Sequence, residues 1–190
     1  MHITPITPDL DLGTSSLVRS PGLHVSTLYN DLYQDLEPGR FKRGVPLDMK
    51  RIELGFSLEE MLEEGLKRRL ASRPGEFRTK EGIAFSPDLL MFNGGVRLGE
   101  IKLTWMSSRG VPREASRTTF PPKFDKWVTQ MMAYCHHLET PSARLYAFFV
   151  NGDYTSMTPE FRAWDIEFTS AETAATWNML VNHGRHKGLM

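Results

Sequence analysis

Residues 86–105 read Ser86-Pro87-Asp88-Leu89-Leu90-Met91-Phe92-Asn93-Gly94-Gly95-Val96-Arg97-Leu98-Gly99-Glu100-Ile101-Lys102-Leu103-Thr104-Trp105. Two apolar runs flank Asn93-Gly94-Gly95, a sequence suited to a tight hairpin turn. The first strand spans about 82–92 and is interrupted at Pro87-Asp88; the second spans 96–105. Strand side chains alternate, so Glu100, Lys102 and Thr104 share one face, with Ile101, Leu103 and Trp105 on the other. Hairpin strands lie about 4.8 Å apart. Carboxylates of Asp88 and Glu100 facing the same way could therefore share one divalent cation, Mg²⁺ or Mn²⁺, because hard oxygen ligands suit those ions. An ammonium at Lys102, on the same face, could orient a water or stabilise developing negative charge. Asp48-Met49-Lys50 mimics the acid-x-Lys spacing but has no Pro-Asp shortly upstream and no alternating strand around it.

Downstream, residues 107–122 have loop composition and carry Arg109, Arg113 and Arg117, candidate contacts for phosphates if the loop lies beside the Lys102 strand. A helix follows over about 123–139, with Trp127, Met131, Tyr134 and Leu138 as its apolar face. Lys126, Gln130 and Tyr134 recur every four residues and form one line along it. That line could position a substrate phosphate, or Lys126 and Gln130 could be a solvated face with Tyr134 in the core. Residues 143–151 and 161–168 read as strands, and a last helix runs from about Ala171 to His183, with Gly184 as its stop.

Upstream, residues 1–22 read as an extended arm, and 23–190 as a single domain. Ser26 looks like the cap of a first helix carrying Leu28, Leu32 and Leu36. Ser57-Leu58-Glu59-Glu60 is a capping box that opens a second helix, expected to run to about Ala71. Leu58, Leu62, Leu66 and Leu70 form its apolar stripe, and Glu59 falls within that stripe. A carboxylate there is either a first-turn acid favoured by the helix dipole or a ligand at the mouth of a site.

The 190 residues are 40% hydrophobic and 24% charged, enough for one domain with a sizeable core. Lys+Arg and Asp+Glu are both 23, which argues against coating nucleic acid by bulk positive charge. A lone cysteine, Cys135, excludes an intrachain disulfide and an all-cysteine metal site, and fits a reducing, cytoplasmic setting. The longest apolar runs are far too short to span a bilayer, and no secretory signal is expected at the N-terminus. The order of elements implies an α/β fold with helices packed on a mixed β-sheet.

Taken together, Ser86-Pro87-Asp88, Gly99-Glu100-Ile101-Lys102 and Gln130-Met131-Met132-Ala133-Tyr134 resemble the motifs of the PD-(D/E)xK nuclease superfamily, in its RecB-like and phage exonuclease-like branch. Gly55-Phe56-Ser57-Leu58-Glu59 resembles the GxxxE motif of the YqaJ and lambda exonuclease kind, with Glu63 an alternative to Glu59. The resemblance covers about residues 50–150 and implies a restriction-endonuclease-like core. It implies that Asp88, Glu100 and the Ile101 carbonyl hold Mg²⁺ or Mn²⁺, with Glu59 as a third acid. Lys102 would orient the attacking water, and Gln130 and Tyr134 would contact substrate or the acids. The implied activity is metal-dependent hydrolysis of DNA phosphodiesters, in the manner of a phage-type exonuclease acting on DNA ends. The iron–sulfur cysteines of some RecB-like members are missing here, so no such cluster is expected. Oligomeric state and a recombination partner protein stay open at this stage, as does the alternative of a non-catalytic nucleic-acid-binding or assembly protein on the same fold. His136, His137, His183, His186 and the pair Asp165/Glu167 read as surface or packing residues rather than ligands.

Overall fold

The computed structural model describes residues 1–6, 20–41, 57, 60–61, 65, 71–72, 74–92, 94–114, 120–151 and 158–190. Glu59, Glu63 and Arg117 lie outside them. The chain forms an α/β core: a mixed sheet with helices packed against it.

The quoted hairpin is the centre of this architecture. Strands β5 (Leu89–Phe92) and β6 (Val96–Thr104) pair antiparallel, with Leu89 opposite Gly99 and Leu90 opposite Leu98. Helix α2 (Phe124–His137) then returns the chain so that β7 (Ser142–Phe149) lies parallel to β6, with Glu100 beside Leu145. β8 (Glu160–Glu167) pairs antiparallel with β7. The first strand, β1 (His2–Ile6), completes one edge on β8, and β2 (Ala71–Ser72) lies at the other edge on β5. The sheet order is therefore β1-β8-β7-β6-β5-β2. A separate ribbon joins β3 (Phe77–Arg78) to β4 (Ala84–Phe85).

Helices α1 (Val25–Leu36), α2 and α3 (Ser170–His186) all contribute to one large apolar cluster on one sheet face. Val25, Leu28 and Leu32 recur at helical spacing on α1, and all three are buried. Leu98, Leu145, Ala147, Phe149, Trp164 and Ile166 project from the sheet into the same cluster. Phe124 of α2 sits among these, its ring centroid 6.0 Å from that of Trp164. Fully burying each such side chain contributes about 1.5–3 kcal/mol. Leu89, Met91, Ile101, Tyr146 and Ala163 form a smaller cluster on the opposite face.

Several boundaries depart from the sequence reading. Ser26 is not the cap of α1: His24 precedes the helix, and its Nε2 bonds to the Ser20 carbonyl at 2.9 Å. Ala71 is not helical, because it and Ser72 pair with Met91 and Leu90 at the sheet edge; Glu60, Met61 and Gly65 are helical, as expected, and Ser57, read as the N-cap, is itself helical. The start of the presumed arm is a strand, where Pro5 is tolerated because β1 lies at an edge. Gly184 does not stop α3, which continues to His186. A Cβ on Gly184 would lie 2.7 Å from Leu28 Cδ2, so the glycine serves the close approach of α3 to α1. The real start signal of α3 is a capping box: Glu172 N–H donates to Thr169 Oγ1 at 3.2 Å, and Thr169 N–H to Glu172 Oε2 at 2.9 Å.

Candidate active site

The register decides the geometry of the acid pair. Leu89 faces Gly99, so Asp88, one residue before β5, stands opposite Glu100 at the open end of the hairpin. Cross-strand partners in an antiparallel pair project to the same face. Asp88 Oδ2 accepts a hydrogen bond from Ile101 N–H at 2.7 Å, which fixes its carboxylate against β6 beside Glu100. The Ile101 side chain itself is fully buried in the small cluster on the far face.

Glu100 has no exposed surface. A carboxylate in that position requires compensation, since burying an unpaired charge costs several kcal/mol. The compensation comes from two elements. Lys102, two residues along the same face of β6 and 18% exposed, places its Nζ on Glu100 Oε1. Gln130 from the middle of α2 donates its Nε2 to the same oxygen at 2.6 Å.

Gln130 is thus part of the buried site and not of a solvated face. Its Nε2 also reaches the Tyr134 hydroxyl at 3.2 Å. Its Oε1 accepts from the Tyr29 hydroxyl at 3.1 Å. Burial pushes the Tyr134 phenol well above its ordinary range, and the charges of Glu100 and Asp88 act the same way while Lys102 opposes them. Tyr134 therefore stays a neutral hydroxyl, able to donate. Asp88, Glu100, Lys102, Gln130 and Tyr134 converge as the sequence spacing anticipates.

Lys126 lies on the same helix as Gln130. Its ammonium stands 4.6 Å from the centroid of the Phe41 ring and 5.7 Å from that of Tyr29. Burial lowers its proton affinity, and the positive charges of Lys102 and Lys123 lower it further. Lys123, at the start of α2, turns its Nζ back to Thr104 Oγ1 at 3.0 Å, on the Lys102 face of β6.

The arginine loop divides differently. Ser108 is fully buried, and its N–H donates to Asn151 Oδ1 at 2.8 Å, so this part of the loop is pinned at its base. Arg109 is exposed on the 3₁₀ turn Ser108–Gly110. Arg113 has an 81% exposed side chain, 3.5 Å from Glu160 at the start of β8, and is not drawn to the acid pair.

Two features escaped the sequence reading. Tyr29 and Tyr33, one turn apart on α1, reach α2 through Gln130 and through Thr129 Oγ1 at 2.9 Å. Asp31, Asp35 and His183 bring their ligand atoms within 4.8 Å of one another. Their polar atoms already have partners in the protein: His183 Nε2 lies 2.8 Å from Asp31 Oδ2, and Lys187 Nζ lies 2.5 Å from Asp35 Oδ2. The Asp31/Asp35 spacing on a helix was the available signal. Asp165 pairs with Arg97 and Arg144, the packing role expected of it. Cys135 is buried, which raises its thiol pKa.

Among the described residues, no helix is long and apolar enough to cross a membrane. No family model and no curated protein sequence matches the chain. The crystal structure of SSO0001 superposes with a TM-score of 0.52 at 15% identity, covering 88% of this chain and 78% of that one. At that identity the likeness concerns the fold alone.

Proposed function

We propose that the chain is a metal-dependent deoxyribonuclease of the PD-(D/E)xK kind, resembling phage-type exonucleases that act on DNA ends. The observation that supports this reading best is that Asp88, one residue before β5, bonds the Ile101 N–H beside Glu100, with Lys102 and Gln130 converging on the second acid.

The donor set fits a hard cation. Asp88 and Glu100 offer carboxylate oxygens from neighbouring strands, and the Ile101 backbone stands between them. Asp88, Glu100 and the Ile101 carbonyl would hold Mg²⁺ or Mn²⁺. Such an ion supplies charge stabilisation at the phosphorus centre and an acidified water, so no serine or cysteine nucleophile is required. Lys102 would orient the attacking water, and its contact with Glu100 keeps it on that face. Gln130, held by Tyr29 and Tyr134, fixes the rotamer of Glu100. Positioning by such neighbours is worth far more than a single weak contact, because misplacement of a reacting group by about 1 Å can cost 10²-fold.

The test is incubation of linear and circular DNA with Mg²⁺, with EDTA, and with the Asp88→Asn variant. Loss of linear DNA should need Mg²⁺ and stop on chelation and in the variant. Degradation that persists with Asp88→Asn would reject the site. DNA binding with no cleavage by the unaltered chain would favour the non-catalytic binding alternative.

A further inference from the structure

The cations around the site are less balanced than the acids. Lys123 and Lys126 have no carboxylate partner among the described residues. Both stand at the start of α2, where the helix dipole disfavours positive charge. Lys126 is wedged against Tyr29 and Phe41 rather than spread into solvent, and Lys123 is turned inward onto buried Thr104. Lys102 occupies the next position on the same face of β6, two residues from Thr104. Lys123 and Lys126 thus stand where the helix dipole acts against both, and half-buried Lys126 also bears its own desolvation and the repulsion of Lys102 and Lys123, which weaken its proton affinity. An incoming anion would relieve all three costs together.

The layout also gives a direction. Along one face of β6 the order is Glu100, Lys102, then Thr104 with the Lys123 ammonium on its hydroxyl. Same-face neighbours on a strand are about 6.6 Å apart, comparable to the separation of consecutive phosphates on one nucleic-acid strand. We propose that Lys123 and Lys126 form a phosphate subsite beside the acid pair, taking the backbone phosphate adjacent to the one that reacts. This deepens the nuclease reading and rests on it for the identity of the polyanion. Lys123 and Lys126 act here by binding and positioning the strand, while the acids and Lys102 stay with the reacting phosphate.

The experiment measures binding of a fluorescent single-stranded oligonucleotide by anisotropy in EDTA, in the Asp88→Asn background so that cleavage does not intrude. Lys123→Met with Lys126→Met keeps the apolar stems and removes both charges. Affinity should fall at least about tenfold at low salt, and the slope of log K against log salt should flatten by about 1.4, roughly 0.7 per lysine on a single strand. An affinity within about twofold of the parent with the same slope would overturn the subsite. Lys80→Met, an equal loss per residue on an exposed turn, should change affinity less than twofold; a loss matching that of the double variant would overturn the proposal in favour of bulk charge. Inorganic phosphate as competitor separates the sources of the anion. Loss of phosphate competition without loss of oligonucleotide affinity would overturn the strand assignment. Thermal melts check the fold, and Lys123→Gln with Lys126→Gln is the second pair if the methionine pair lowers the Tm.

The two readings fail separately. Lysine-dependent binding by a chain that does not cut leaves the subsite standing and removes the nuclease. Cleavage that needs Asp88, with binding indifferent to Lys123 and Lys126, does the reverse.

Discussion

The two faces of the central sheet handle charge in opposite ways. On the face away from the helices, Arg97 and Arg144 share Asp165 at 2.8 and 2.6 Å, and Arg97 also approaches Glu167 at 3.9 Å. These side chains are 21–47% exposed, and each has a partner of opposite sign. On the helix face, Glu100 is sealed from solvent, Lys102 and Gln130 share one of its oxygens, and Lys123 and Lys126 stand nearby without acids among the described residues. A balanced, wet lattice supports a fold at little cost. A sealed carboxylate ringed by more cations than it can pair is expensive to maintain and points to a ligand.

The sharpest way to break this contrast is to neutralise one acid on each face. Glu100→Gln should lower Mg²⁺-dependent cleavage by on the order of 10²–10³, the usual effect of removing one preorganised electrostatic group. Asp165→Asn should leave cleavage rates within about threefold and cost only about 0.5–1 kcal/mol of stability. Single-turnover assays and urea titrations on both variants measure the two effects; equal losses of activity would erase the distinction.

A second comparison concerns stability. Lys102→Ala leaves the Glu100 charge buried with one fewer partner and should cost about 3 kcal/mol. The denaturation midpoint reads this directly, and no shift would mean that the Lys102 contact adds nothing to the stability of the fold. Gly99→Ala sharpens the view of the far face. A Cβ there would lie 2.9 Å from Leu89 Cβ, an atom with little freedom to move, so about 1–3 kcal/mol should be lost.

The smallest expected effect lies away from both clusters. Burial, helped by the neighbouring His136, holds the His137 imidazole down at about 4 from its ordinary 6.5. The unfolded chain therefore binds the extra proton first, and stability contributed by neutral His137 is complete above about pH 6.5 and lost as pH falls towards 4. Because the ring is partly exposed, about 1 kcal/mol is expected. Between pH 7 and pH 4 the unaltered chain should lose about 1 kcal/mol relative to His137→Phe, read from melts of both; parallel curves would remove the assignment.

The hairpin and its acids were readable because each signal is local. Period-two alternation from Val96 to Thr104 and the glycine turn before it fix which side chains share a face. The line Lys126-Gln130-Tyr134 was readable for the same reason, at helical period. What the sequence could not supply are relations between distant segments. Gly184 looks like a stop until Leu28 is brought against it. Tyr29 looks like ordinary core until Gln130 takes its hydroxyl bond. Asp31 and His183 meet across 152 positions of chain. The first strand was hidden because a Pro- and Thr-rich segment pairs only when β8 offers it an edge.

The hairpin and the parallel strand β7 stand side by side inside the sheet, flanked by β2 and β8, and α2 packs on them. Asp88, Glu100, Lys102 and Gln130 therefore cannot be separated by fraying a terminus or swinging a flap; the middle of the molecule must come apart. Hydrogen exchange at Ile101 and its neighbours on β6 should be among the slowest in the chain, and activity should vanish at the same denaturant concentration as the fold itself.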